Sequence, residues 1–158
     1  GGGVHWLIRP GSSGPALVGN TIAGNLASAG AGVYADGEDY RARIVNNLVL
    51  APTGLSAIEC GDFSDLLPPI VHHNNALSDV GAYAGLCAPA TADRSNLSRA
   101  PQFLPGTWRP TRGSAGVDSG DPRAMTEKLD LEGNPRACAT SAGAHANVDI
   151  GALEYCGE

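Results

Sequence analysis

Lysine is nearly missing from this chain of 158 residues, with Lys128 standing alone. Aromatic residues make up 5% and there is one Met. A chain so short of large side chains must fill its interior with small or β-branched ones, which argues against a helical bundle. No apolar run approaches the roughly 18 residues that would span a membrane. The net charge is −6 and the nine Arg are scattered, so the basic stripe of a nucleic-acid binder is absent. The cysteines show no CxxC or zinc-like spacing. There is neither a signal peptide nor an initiator Met, and the opening Gly1-Gly2-Gly3 reads as the middle of something. The expectation is a processed or excised piece of a longer protein.

What the chain has instead is 22 Gly, 11 Pro and many Asn and Ser around a 42% hydrophobic content. That is enough apolar material for one domain with a core, cut into short runs by turns. Four cysteines, Cys60, Cys87, Cys138 and Cys156, allow three pairings. In a loop-rich chain the economical reading is Cys60–Cys87 and Cys138–Cys156, formed in an oxidising compartment, with four free thiols as the alternative.

Internal repeats decide the expected fold. Gly2-Gly3-Val4-His5-Trp6 recurs as Ala31-Gly32-Val33-Tyr34-Ala35 and more weakly as Ser56-Ala57-Ile58-Glu59-Cys60. A second element follows each: Leu17-Val18-Gly19-Asn20-Thr21-Ile22, Ile44-Val45-Asn46-Asn47-Leu48-Val49 and His72-His73-Asn74-Asn75-Ala76-Leu77. Taking Asn20, Asn47 and Asn75 as equivalent gives steps of 27 and 28 residues, and Val4, Val33 and Ile58 give 29 and 25. Such periods suit one turn of a solenoid with three short strands. Stacked turns would align Asn with Asn in tight bends and Val, Ile and Leu in a narrow interior. The expected architecture is all-β: a right-handed parallel β-helix of about three coils over residues 1–80. A loop-rich cap over residues 81–158 would pack on the helix end, the whole forming one continuous domain. The edge before the first coil should be covered by upstream coils or another chain.

The tail carries the most specific motifs. Asn96-Leu97-Ser98, Ala100-Pro101-Gln102-Phe103 and Ser114-Ala115-Gly116-Val117-Asp118-Ser119-Gly120 are followed by Asp130-Leu131-Glu132-Gly133-Asn134-Pro135-Arg136 and Val148-Asp149-Ile150-Gly151-Ala152-Leu153-Glu154-Tyr155. This order resembles the C-terminal region of bacterial secreted right-handed β-helix proteins of the choice-of-anchor Q domain type. The resemblance implies an extracellular or cell-surface bacterial protein. In the cap, Asp118 and Asp149 suit carboxylates that accept backbone N–H bonds in tight turns, with Arg136 pairing one of them.

Chemistry is harder to find. A polysaccharide lyase on such a scaffold needs a cation for the uronate carboxylate and a base at the sugar C5 proton. The weak candidates are Arg41, Arg43, His72 and His73, and no acidic calcium cluster accompanies them. Adjacent His72 and His73 should point to opposite faces of a strand, which excludes a simple metal pair. Asp36-Gly37-Glu38-Asp39 lacks calcium-loop spacing. Glu59 and Asp62 come from a single coil, short of the clustered carboxylates of a glycosidase. Ser12 and Ser13 lack a nucleophile-elbow context. Asn96 opens a formal glycosylation sequon that reads as a polar loop. Thr21 alone in a repeated strand is no ice-binding Thr ladder. No cofactor and no metal are expected. The expected function is a non-catalytic extracellular module, structural, adhesive or carbohydrate-contacting. Its partners would be polysaccharide or another cell-surface protein. The alternative is part of a polysaccharide lyase or glycoside hydrolase with a groove on the β-helix.

Overall fold

The computed structural model describes residues 1–9, 11–37, 42–61, 68–139 and 145–157. Short apolar and β-branched runs, each stopped by Gly, Asn or Pro, form ten strands among these residues. Strands β1 (Val4–Ile8), β4 (Val33–Gly37), β7 (Ile58–Cys60) and β10 (Tyr83–Gly85) make one sheet. A second sheet holds β2 (Ala16–Val18), β5 (Arg43–Val45) and β8 (Ile70–His72), and a third holds β3 (Thr21–Ala23), β6 (Leu48–Leu50) and β9 (Asn75–Leu77). Every strand pairing is parallel. The chain visits the three sheets in fixed rotation, completes three such circuits, and begins a fourth with β10. Helix is limited to 3-10 segments at Ala88–Ala92 and Pro122–Ala124 among the described residues.

The register stacks like on like. Val4 faces Val33, Val33 faces Ile58 and Ile58 faces Tyr83 in the first sheet. Leu17, Ile44 and Val71 align in the second, and Ile22, Val49 and Ala76 in the third. Val33, Ile44, Val49 and Ile58 are fully buried, each such side chain contributing about 1.5–3 kcal/mol of burial. The interior is narrow enough that backbone must approach side chain directly. A Cβ at Gly32 would run into Val49 and the Ala57 carbonyl, so the entry to β4 takes Gly.

An asparagine ladder runs along the bend between the second and third sheets, with a different third rung from the one expected. Asn47 Oδ1 accepts from the backbone and side-chain N–H of Asn20, both at 3.0 Å. Asn74, not Asn75, continues the column: its Oδ1 accepts from Asn47 N at 3.0 Å and Asn47 Nδ2 at 3.1 Å. Asn75 begins β9 opposite Leu48, and its amide instead exchanges bonds with the Arg99 backbone. The two asparagines are adjacent, so repeat spacing cannot tell them apart and only the register does. The residue before each rung turns the chain through left-handed backbone angles: Gly19 (φ 66°), Asn46 (φ 58°) and His73 (φ 52°).

The region beyond residue 80 is not purely a lid. β10 extends the first sheet, and Asn96 supplies a fourth rung, accepting from Asn74 N at 3.0 Å. Its amide also donates to Val71 O and Ala90 O at 3.0 Å each, so the sequon asparagine is a ladder rung. Parts of segments 114–139 and 145–155 bond to the earlier circuits. Asp121 and Asn46 bond reciprocally at 2.8 and 2.9 Å, Gly151 N donates to Asn46 O at 2.8 Å, and Ala152 N donates to Thr21 Oγ1 at 3.0 Å. The left-handed bends expose backbone carbonyls there, and the tail satisfies them. The disulfides are Cys60–Cys87 and Cys138–Cys156, with Cα separations of 5.1 and 4.9 Å. The first ties β7 to the end of the sheets and the second closes the tail. No helix among the described residues is long and apolar enough to cross a membrane.

Candidate functional site

The two histidines do not diverge as alternation along a strand would require. His72 ends β8, but His73 has left the strand for the left-handed bend, which swings its ring back. Their Nδ1 atoms lie 2.9 Å apart and the rings meet edge to face with centroids 5.1 Å apart. Asp121, buried by the returning tail, brings a carboxylate to the same place, and the three donor atoms all lie within 4.8 Å of one another. Burial, with the neighbouring His73 ring, holds His72 below the usual imidazole range. The side-chain bond from Arg123 holds Asp121 below the usual carboxylate range. Only a bend in left-handed geometry could have revealed this pairing, and His is a less obvious signal for it than Gly or Asn.

Of the remaining lyase candidates, Arg43 is the one that falls among the described residues. Arg43 is exposed at the start of β5 and pairs in register with Ile70, two positions before His72. Arg41 lies outside the described residues, as do Glu38, Asp39 and Asp62. Glu59 is committed to structure, accepting from Gly30 N at 3.0 Å and Ser56 Oγ at 2.8 Å. Asp36 accepts from Gly37 N at 2.9 Å, and Ser12 N closes a turn onto Arg9 O.

In the tail the Asp149 carboxylate accepts backbone N–H bonds, Asp118 taking part through its own backbone N–H, and the ion pair differs from the one expected. Asp149 accepts from Asp118 N and Tyr155 N, both at 2.7 Å. Arg136 pairs with neither Asp118 nor Asp149 but with Glu154, at 3.0 Å and nearly out of solvent. Its guanidinium also donates to Gly151 O at 2.8 Å and to Gly19 O at 3.3 Å. The part played by Glu154 depends on the tail's fold and has no local motif in the sequence. Burial, with Asp149 beside it, pushes Glu154 up to about 7, and burial pushes Asp149 up to about 6. Arg136 bonds to Glu154 alone of the two buried acids, and their closeness disfavours ionising both at once.

A third feature went unnoticed in the sequence. Two adjoining clefts, of about 370 and 340 Å³, open on the tail and share Glu132 as a wall. Trp108 is 51% exposed along one, propped edge-on by Phe103 with centroids 5.3 Å apart. Arg109 and Glu132 form an ion pair at 2.9 Å along the other, beside Tyr155 and Asn134. Comparison with family models, curated proteins and solved structures finds no match to this chain.

Proposed function

We propose that the chain is the end of a right-handed parallel β-helix from a bacterial extracellular or cell-surface protein, and that it contacts carbohydrate without transforming it. The observation that carries the carbohydrate reading is exposed Trp108, set edge to face against Phe103 in the wall of a largely apolar cleft. An indole face offers the flat apolar surface on which the C–H face of a pyranose stacks, and pays little entropy for doing so. Arg109, Glu132 and Asn134 line the adjoining cleft, which shares Glu132 with that of Trp108, and offer planar donors and acceptors for sugar hydroxyls. The net charge of −6 disfavours polyanionic glycans and points to neutral ones. Two disulfides support an oxidising compartment, and the fixed rotation through three parallel sheets supports the β-helix.

A glycan array spanning neutral and acidic oligosaccharides tests this, with Trp108→Ala alongside. Binding to a neutral glycan that Trp108→Ala abolishes is the expected result. A chain that binds no glycan, or binds equally well without Trp108, would sink the carbohydrate reading. Release of unsaturated uronate from any polysaccharide would sink the non-catalytic one.

A further inference from the structure

We propose that His72, His73 and Asp121 form a binding site for one divalent transition-metal ion of the class of Zn2+, Ni2+ and Cu2+. The separation of the two Nδ1 atoms is 2.9 Å. An ion with metal–nitrogen bonds of about 2.0–2.1 Å spans nitrogens about 2.9 Å apart at a right-angled bite, and about 3.3 Å apart at a tetrahedral one. Both rings can therefore ligate one ion with little movement, and the bite is the tetragonal one that suits Cu2+ and Ni2+. Two imidazoles and one carboxylate are poor company for Ca2+ or Mg2+, which require mostly oxygen donors.

The surroundings are built rather than incidental. His73 sits at φ 52° in a column where Gly19 and Asn46 hold the equivalent places, and that bend is what turns its ring onto His72. The third donor is anchored independently of the histidines, since the Asp121 backbone exchanges bonds with the Asn46 side chain. Asp121 Oδ1 is committed to Arg123 N and Nε, both at 3.0 Å. Oδ2 has only a 3.4 Å contact with Arg123 Nη2, and the Arg123 side chain is 86% exposed and free to swing aside. Oδ2 is thus the oxygen open to a cation. Without metal the two rings share one Nδ1–H between them; on binding, that proton moves to the Nε2 of its ring, leaving both Nδ1 lone pairs for the ion.

The test is calorimetric titration of the chelator-stripped full chain with Zn2+ and Cu2+, with Ca2+ as the control, and with nitrogen NMR of the imidazoles. One transition ion per chain should bind, shifting Nδ1 of His72 and His73, and Ca2+ should not compete. His72→Gln and His73→Asn should each weaken binding about 100-fold or more; Asn tolerates the left-handed bend. Absence of Zn2+ and Cu2+ binding, or binding that survives both substitutions, would overturn the site. Should either variant unfold, the wild-type spectrum decides: shifts confined to His5 or His145 overturn it equally.

Discussion

The side-chain oxygen of Asn74 accepts two hydrogen bonds from Asn47, one from its backbone N–H at 3.0 Å and one from its amide at 3.1 Å. The Asn47 amide also donates to Leu17 O at 2.8 Å and Val45 O at 2.9 Å, so one fully buried side chain joins three successive circuits. Truncation leaves several buried groups unpaired at once. Asn47→Ala should cost about 3–5 kcal/mol and Asn20→Ala, at the half-exposed first rung, about 1 kcal/mol, by urea unfolding. Asn47→Ala and Asn74→Ala should be non-additive by more than about 0.5 kcal/mol, as contacting residues are. Equal costs at both rungs would contradict the ladder account.

A second prediction concerns pH. Burial raises Asp149 to about 6 and Glu154 to about 7, whereas free carboxyls titrate near about 4. The folded state therefore holds protons that the unfolded state has already lost, and this contribution to stability is fully present below about pH 4 and lost as pH rises through about 6–7. Asp121 and Asp130, held below their ordinary values by hydrogen bonds, act the other way and lose their contribution on acidification. His72, lowered by burial, also acts oppositely, favouring the fold as pH rises. The diagnostic is thus a difference of slopes. Between pH 5 and pH 7.5, Asp149→Asn should rise in stability with pH relative to the wild type, measured by urea midpoints. Parallel profiles would remove Asp149 from the account.

How much of this was legible in the sequence depends on what kind of information each feature needs. The stacking of Val4, Val33 and Ile58 could be read directly, because an apolar position repeated at circuit length reports its own burial. The cysteine partners could be read as well, since each pair is close in sequence. Asn74 could not be told from Asn75, because a one-residue slip leaves composition unchanged while reversing which side chain enters the ladder. The His72–His73 meeting was invisible for a related reason. Alternation holds only while the backbone stays extended, and His73 has left that region. The flank contacts of Asp121 and Arg136, and with them the Arg136–Glu154 pair, depend on where a long tail returns, which no local pattern encodes.

Tyr83 offers a third test. It ends the buried column of Val33 and Ile58, and its hydroxyl is buried with no hydrogen-bond partner among the described residues. Burial drives its ionisation well above the usual phenol range, the same penalty seen from the titration side. A buried hydroxyl without a partner carries an uncompensated desolvation cost of about 1–3 kcal/mol. Tyr83→Phe keeps the ring and removes that cost, so it should leave stability unchanged or raise it by up to about 1 kcal/mol. A melting temperature lowered by several degrees would show that the hydroxyl has a partner after all.

The two disulfides should differ in how they respond to reductant. Cys60 and Cys87 are each 2% exposed and belong to the core cluster, whereas Cys156 lies at the surface and Cys138 is half-buried. Thiol–disulfide exchange requires a thiolate to reach a sulfur, so mild reductant should open Cys138–Cys156 first. Alkylation and mass mapping should find Cys138 and Cys156 modified while Cys60 and Cys87 stay protected until the sheets unfold. Loop closure over separations of 27 and 18 residues gives both bonds a similar entropic value of about 3–3.5 kcal/mol. The difference in consequence comes from position. Losing Cys60–Cys87 also loosens the seam between β7 and the segment that closes the last circuit, so the Cys60→Ala/Cys87→Ala variant should be the less stable of the two double variants. Simultaneous reduction of both bonds in the folded protein would refute the ordering.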